Sequence, residues 1–82
     1  MKARLSRWDE EAGRYVRFAV VEFNAWGADA LRLLFDHMRD EFGARAVGSD
    51  NNRAGRWYFV NSDGTEYRAD TNGKASKGPR LK

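Results

Sequence analysis

The sequence predicts a two-layer α+β domain: an antiparallel sheet of four or five strands with a single helix packed on one face, in the order ββα(β)ββ. Three observations carry this. One segment alone has the 3.6-residue apolar period of an amphipathic helix. The segments on either side of it are rich in β-branched and aromatic residues. The last two apolar runs flank a turn whose chemistry fixes a hairpin register.

Residues 2–8 read as a short strand and Asp9 to Gly13 as a polar turn. Arg14 to Phe23 is the clearest strand, with Tyr15, Val16, Phe18, Val20, Val21 and Phe23 suited to a buried, pleated setting. A hairpin joins the two. The helix follows, capped by Asn24 or a residue near Gly27 and ended by Gly43. Leu31, Leu34, Phe35, Met38 and Phe42 share one face, which docks on the sheet. The opposite side carries Asp29, Leu33, Asp36 and Asp40, with Trp26 beside them.

Ala44 to Val47 reads as a brief strand, and residues 48–55 as a polar loop. Arg56–Val60 and Thr65–Ala69 then form a hairpin. A three-residue loop with Gly64 left-handed pairs Asn61 with Thr65. It sets Phe59 opposite Tyr67, Trp57 opposite Ala69, Tyr58 opposite Arg68 and Arg56 opposite Asp70. A two-residue loop would set Phe59 against Arg68 and scramble both faces.

One helix covers one side of such a sheet, so the other side is a candidate binding face. From the last hairpin it takes Arg56, Tyr58, Val60 and Arg68. From the long strand it takes either Tyr15, Arg17, Ala19, Val21 and Phe23, or the alternate set with Val16, Phe18 and Val20. Both sets are apolar, and the pattern leaves the choice open. A strand apolar on both faces is usually covered on both.

The chain has 82 residues, no cysteine and eleven aromatics, so one small core must form without disulfides or thiolate metal sites. No stretch has the length of a membrane span and the first residues lack a signal-peptide pattern, so the expectation is a soluble, cytoplasmic protein. The formal charge is +3. Residues 71–82 hold Lys74, Lys77, Arg80 and Lys82 and no acid, so residues 1–70, with eleven Lys/Arg against twelve Asp/Glu, carry −1. The positive charge belongs to a basic tail that reads as disordered, outside a 1–70 domain, and its four cations are candidate phosphate contacts.

No catalytic or metal-ligating pattern emerges. His37, the one histidine, has no second His or Cys to share a metal and is placed toward the exposed side of the helix. Asp9, Glu10 and Glu11 sit in a turn, where solvated carboxylates are ordinary. Asp50, Asn52 and Gly55 take the first, third and sixth places of a calcium loop, but Ala54 and Asn61 stand where ligands are required. Gly73-Lys74-Ala75-Ser76 lacks the earlier glycine and the adjacent hydroxyl of a phosphate-binding loop.

Val16-Arg17-Phe18-Ala19-Val20-Val21-Glu22-Phe23 resembles the main signature of the RNA-recognition-motif family at Phe18, Ala19, Val21 and Phe23. The resemblance implies base stacking by Phe18. Val16 and Arg17 replace the basic residue and glycine that open the signature, and Val20 its central aromatic. The strand, helix and strand that precede it in the family have no room in fifteen residues.

The expectation is a non-catalytic binding protein without a cofactor or small-molecule substrate. It docks on a protein partner, as an inhibitor or adaptor of the type found among accessory proteins of bacteriophages and mobile elements, or self-associates through its open sheet face. The helix side of Trp26, Asp29, Leu33, Asp36 and Asp40 is a second docking candidate, with apolar anchors in an acidic rim. The alternative is a nucleic-acid binder using the sheet aromatics and arginines, with the tail as an electrostatic arm.

Overall fold

The computed structural model describes residues 1–50 and 55–71. It contains β1 (Lys2–Asp9), β2 (Arg14–Glu22), α1 (Gly27–Phe42), β3 (Ala44–Ser49), β4 (Arg56–Asn61) and β5 (Glu66–Thr71). The five strands form one antiparallel sheet in the order β2-β1-β5-β4-β3, with α1 on one face. The first and last strands therefore lie side by side in the sheet. The chain must cross from one edge strand, β2, to the other, β3. A helix of 16 residues is about 24 Å long, and five strands span about 19 Å, so α1 bridges that distance while covering one face.

The core is thin. Ala3 and Leu5 of β1, Phe59 of β4, and Tyr67 and Ala69 of β5 meet Leu34 and Met38 of α1, with Ala44 of β3 at one side. Alanines on the sheet bring the helix backbone close, and Leu5, Phe59, Leu34 and Met38 supply the largest buried side chains. Each such side chain stabilises the fold by roughly 1.5–3 kcal/mol. Leu31, Phe35 and Phe42 lie at the margin of this core, and Phe35 meets Trp57 and Phe59 edge to face.

Local chemistry explains the turns. The Asp9 carboxylate accepts from the Glu11 and Ala12 amides, and the Gly13 amide donates to the Asp9 carbonyl. Asp9 thus serves the β1–β2 turn. The Asn61 side chain accepts from the Asp63 and Thr65 amides, and Gly64 takes a φ of 86°, giving the β4–β5 register the sequence predicts, from Arg56–Asp70 through Phe59–Tyr67. Gly43 ends the helix in the left-handed region and donates to the Arg39 carbonyl. Asn24 is not the cap. Trp26 occupies that position without a side-chain hydrogen bond, which leaves the first turn of α1 uncapped.

Thr71 belongs to β5, where it pairs with Ala3, and Lys74, Lys77, Arg80 and Lys82 lie outside the described residues. The Asp50–Gly55 comparison also falls partly outside them, since residues 51–54 are not described. His37 is not on the exposed side. It is half-buried, edge-on to the rings of Phe23 and Phe42 at 6.0 Å each.

The question of which β2 face packs on the helix has an unexpected answer. Leu5 pairs with Ala19 and Ser6 with Arg17, leaving Phe18 as an extra residue in a β-bulge. The bulge changes the phase of the strand. Val16, Phe18, Ala19, Val21 and Phe23 fall on the helix side, while Tyr15, Arg17, Val20 and Glu22 face away. Neither regular alternation holds over the whole strand. Phe18 thus shares the helix side with Ala19 and Val21, and it lies edge-on to Phe42 and Tyr67.

Gly55 opens β4 with a φ of 84°, and its carbonyl accepts from both the amide and the hydroxyl of Thr71. A Cβ there would collide with the Thr71 hydroxyl and lie 3.3 Å from its carbonyl oxygen. Gly55→Ala is expected to destabilise the domain by about 2 kcal/mol, combining left-handed strain with local overpacking. Thermal unfolding checks this: the expected fall in Tm is about 8–16 °C for a domain of this size.

Candidate functional site

The cross-strand pairs fix three rows of side chains on the face opposite the helix. One row holds Val20, Arg4, Asp70 and Arg56. The central row holds Arg17, Ser6, Arg68, Tyr58 and Gly48. The third holds Tyr15 and Trp8 at one end and Glu66, Val60 and Arg45 at the other. The six residues expected there, Arg56, Tyr58, Val60, Arg68, Tyr15 and Arg17, all stand on this face. Arg4, Trp8, Asp70 and Arg45 join them.

The centre of the face is tied together. Asp70 bridges two arginines, accepting from Arg56 Nε at 2.6 Å and from Arg68 Nε at 3.1 Å. All three side chains are about one-fifth exposed. The bond to Asp70 holds the Arg56 guanidinium above its usual pKa range. Arg68 also lies over the Tyr15 ring, its guanidinium carbon 4.9 Å from the ring centroid. Trp8 meets Tyr15 edge to face at 5.2 Å. Tyr15 in turn donates a long 3.4 Å hydrogen bond to Glu66 Oε1. Burial, reinforced by the Glu66 carboxylate, holds the Tyr15 phenol above its ordinary pKa of 10.0.

Tyr15 on β2 and Tyr58 on β4 are three strand spacings apart in the sheet, about 14 Å in a flat one. Their ring centroids are nevertheless 6.1 Å apart, so the two side chains lean toward each other across β1 and β5. Ser6, in the middle of the central row, is only 3% exposed, and its hydroxyl has no hydrogen-bond partner among the described residues. It lies beneath the side chains of the central row, opposite Arg68 on β5.

The charge is unevenly divided. Lys2, Arg4, Arg17, Arg45, Arg56 and Arg68 lie on the open face against Glu22, Glu66 and Asp70. Lys2, Arg4, Arg17 and Arg45 form no ion pair among the described residues. On α1 the balance reverses: Asp29, Asp36, Asp40 and Glu41 outnumber Arg32 and Arg39. Most of these charges pair along the helix, Asp29 with Arg32 and both Asp36 and Asp40 with Arg39. The near-neutral domain is therefore positive on its sheet side and negative on its helix side.

The other candidates are separate. Leu33, 42% exposed, stands among Asp29, Asp36 and Asp40 on the outer side of α1, whereas Trp26, 62% exposed, lies at the start of the helix beside Leu31 and Trp57. Phe18 lies on the helix side, so it does not join the aromatics of the open face. An apolar cleft of about 300 Å³ opens at the start of α1 between Trp26, Leu31, Trp57, Met1 and Thr71, with no charged side chain in its lining. No cluster of metal-ligating side chains occurs among the described residues, and no helix among them is long and apolar enough to cross a membrane.

Arg4 and Trp8 had a readable signal in the sequence. Lys2-Ala3-Arg4-Leu5-Ser6-Arg7-Trp8 alternates strictly at Ala3 and Leu5, which assigns Arg4, Ser6 and Trp8 to the opposite face. Comparison with protein-family models, with curated proteins and with solved structures finds no match to this chain.

Proposed function

We propose that the protein binds nucleic acid through its open sheet face, without catalysis. The observation that carries this reading is that four cations without an ion-pair partner among the described residues, Lys2, Arg4, Arg17 and Arg45, share one sheet face with the aromatics Trp8, Tyr15 and Tyr58. Cations supply phosphate contacts, and aromatic rings supply stacking for bases. Self-association through the same face loses its rationale, because the β2 bulge leaves that face polar and positively charged. Like-charged faces repel one another.

Fluorescence anisotropy with labelled oligonucleotides tests the reading. The full chain is compared with a chain in which Lys74, Lys77, Arg80 and Lys82 are replaced by Gln. Binding should weaken on tail neutralisation yet persist, and Tyr58→Ala in that background should weaken it a further 5- to 150-fold, roughly the worth of one stacked base. If tail neutralisation removes all binding, the folded body has no site of its own.

A second reading rests on a different surface. Trp26, 62% exposed at the start of α1, and Leu33, 42% exposed among Asp29, Asp36 and Asp40, suit protein docking on the helix. It leaves the open face unused, so Trp26→Ala separates the two readings by sparing nucleic-acid binding.

A further inference from the structure

Resting on that proposed reading, we infer that the ligand of the open face is a single strand, held with its bases unstacked against Tyr58, Tyr15 and Trp8 and its phosphates on Arg17, Arg4, Lys2 and Arg45.

Two features point away from a duplex. In a double helix the base faces are covered by their neighbours, and only their edges are presented in the grooves. Aromatic rings on a sheet have nothing to stack on there. A groove reader must also project, as a helix or a two-stranded ribbon does. The helix of this protein presents Asp29, Asp36, Asp40 and Glu41 outward, which phosphates repel, and the unpaired arginines lie on the sheet face instead.

Three features favour a single strand. The aromatics converge on one another rather than scattering, with Trp8 on Tyr15 and Tyr15 facing Tyr58. Asp70 engages Arg56 and Arg68 through Nε alone, so it sets their direction while their terminal amino groups have no other ion-pair partner among the described residues. The unpaired cations number four, a match for a short run of phosphates.

The test uses the full-length chain with its tail cations replaced by Gln, and labelled oligonucleotides of fifteen deoxythymidines, fifteen uridines, and a mixed-sequence DNA duplex of equal length. Expected is binding to at least one single strand about tenfold or more tighter than to the duplex, with a log–log salt slope near −2.8 for four phosphate contacts. The tighter of the two single strands identifies the sugar. Tyr58→Phe should retain the affinity and Tyr58→Ala should lose it, because stacking needs the ring and not the hydroxyl. Equal or tighter duplex binding overturns this inference while leaving the face as a nucleic-acid site. Loss in Tyr58→Phe as great as in Tyr58→Ala overturns the stacking role. Binding to none of the three overturns the underlying reading as well.

Discussion

Phe59→Ala is expected to remove roughly half of the domain's stability. Phe59 is 1% exposed, stands opposite Tyr67 in the sheet and receives the edge of Phe35 from the helix. It thus joins both layers at the point where the core is thickest. Truncating a buried Phe costs about 3–5 kcal/mol through lost burial and the cavity left behind. A domain of this size holds only about 4–10 kcal/mol in total, with no disulfide to fall back on. Urea titration followed by circular dichroism checks the outcome. Phe59→Leu, which keeps most of the volume, should lower the midpoint less. A Phe59→Ala midpoint within experimental error of the parent would show that the core is not centred there.

The second large effect falls on Arg68. This side chain joins three interactions of the open face: the Nε bond to Asp70, the contact over Tyr15, and the cross-strand position beside Tyr58. Arg68→Glu removes all three and places a new carboxylate between Asp70 and Glu66, its same-face neighbours two residues away on either side. The charge of the face falls by two. Stability should drop by about 2 kcal/mol, the worth of a charge-assisted hydrogen bond with added like-charge repulsion. Oligonucleotide affinity should fall at least 100-fold under the proposed function, since both an arginine contact and the setting of Tyr15 are lost. Arg68→Lys should fall between, because an ammonium keeps the charge but neither the planar stack nor the fork geometry. Anisotropy at a temperature where both variants remain folded separates the binding effect from the stability effect. Unchanged affinity in Arg68→Glu would remove the open face from consideration.

How far these features were legible differs from element to element. The β4–β5 hairpin was readable to the residue pair, because Asn61 and Gly64 dictate one loop and the apolar pattern admits one register. That register alone placed Arg56, Tyr58, Val60 and Arg68 on one face. The helix was readable from Leu31 to Phe42, since its period is local. Its start was not: Trp26 caps α1 without a side-chain hydrogen bond, so no cap signal exists to be found. The pairing of β1 with β5 joins residues 60 to 68 positions apart, from Arg7–Tyr67 to Ala3–Thr71, and no local pattern encodes it. The β2 face was unreadable for a definite reason. Alternation assumes one phase per strand, and Phe18 shifts the phase in the middle, so Tyr15 and Arg17 belong with Val20 and not with Ala19 or Val21.

The same bulge has a consequence for life at high concentration. β2 and β3 are the two edges of the sheet, and each carries an extra residue, Phe18 in one and Val47 in the other. An edge strand offers unpaired amides and carbonyls to any neighbour, and a flat one is a template for stacking copies into fibres. An extra residue bends the strand and interrupts the even spacing that such stacking needs. The irregularity that turns Phe18 to the helix side thus also spoils the outer margin as a seed for cross-β growth. Removing both bulges at once should leave a domain that folds but forms fibrils faster.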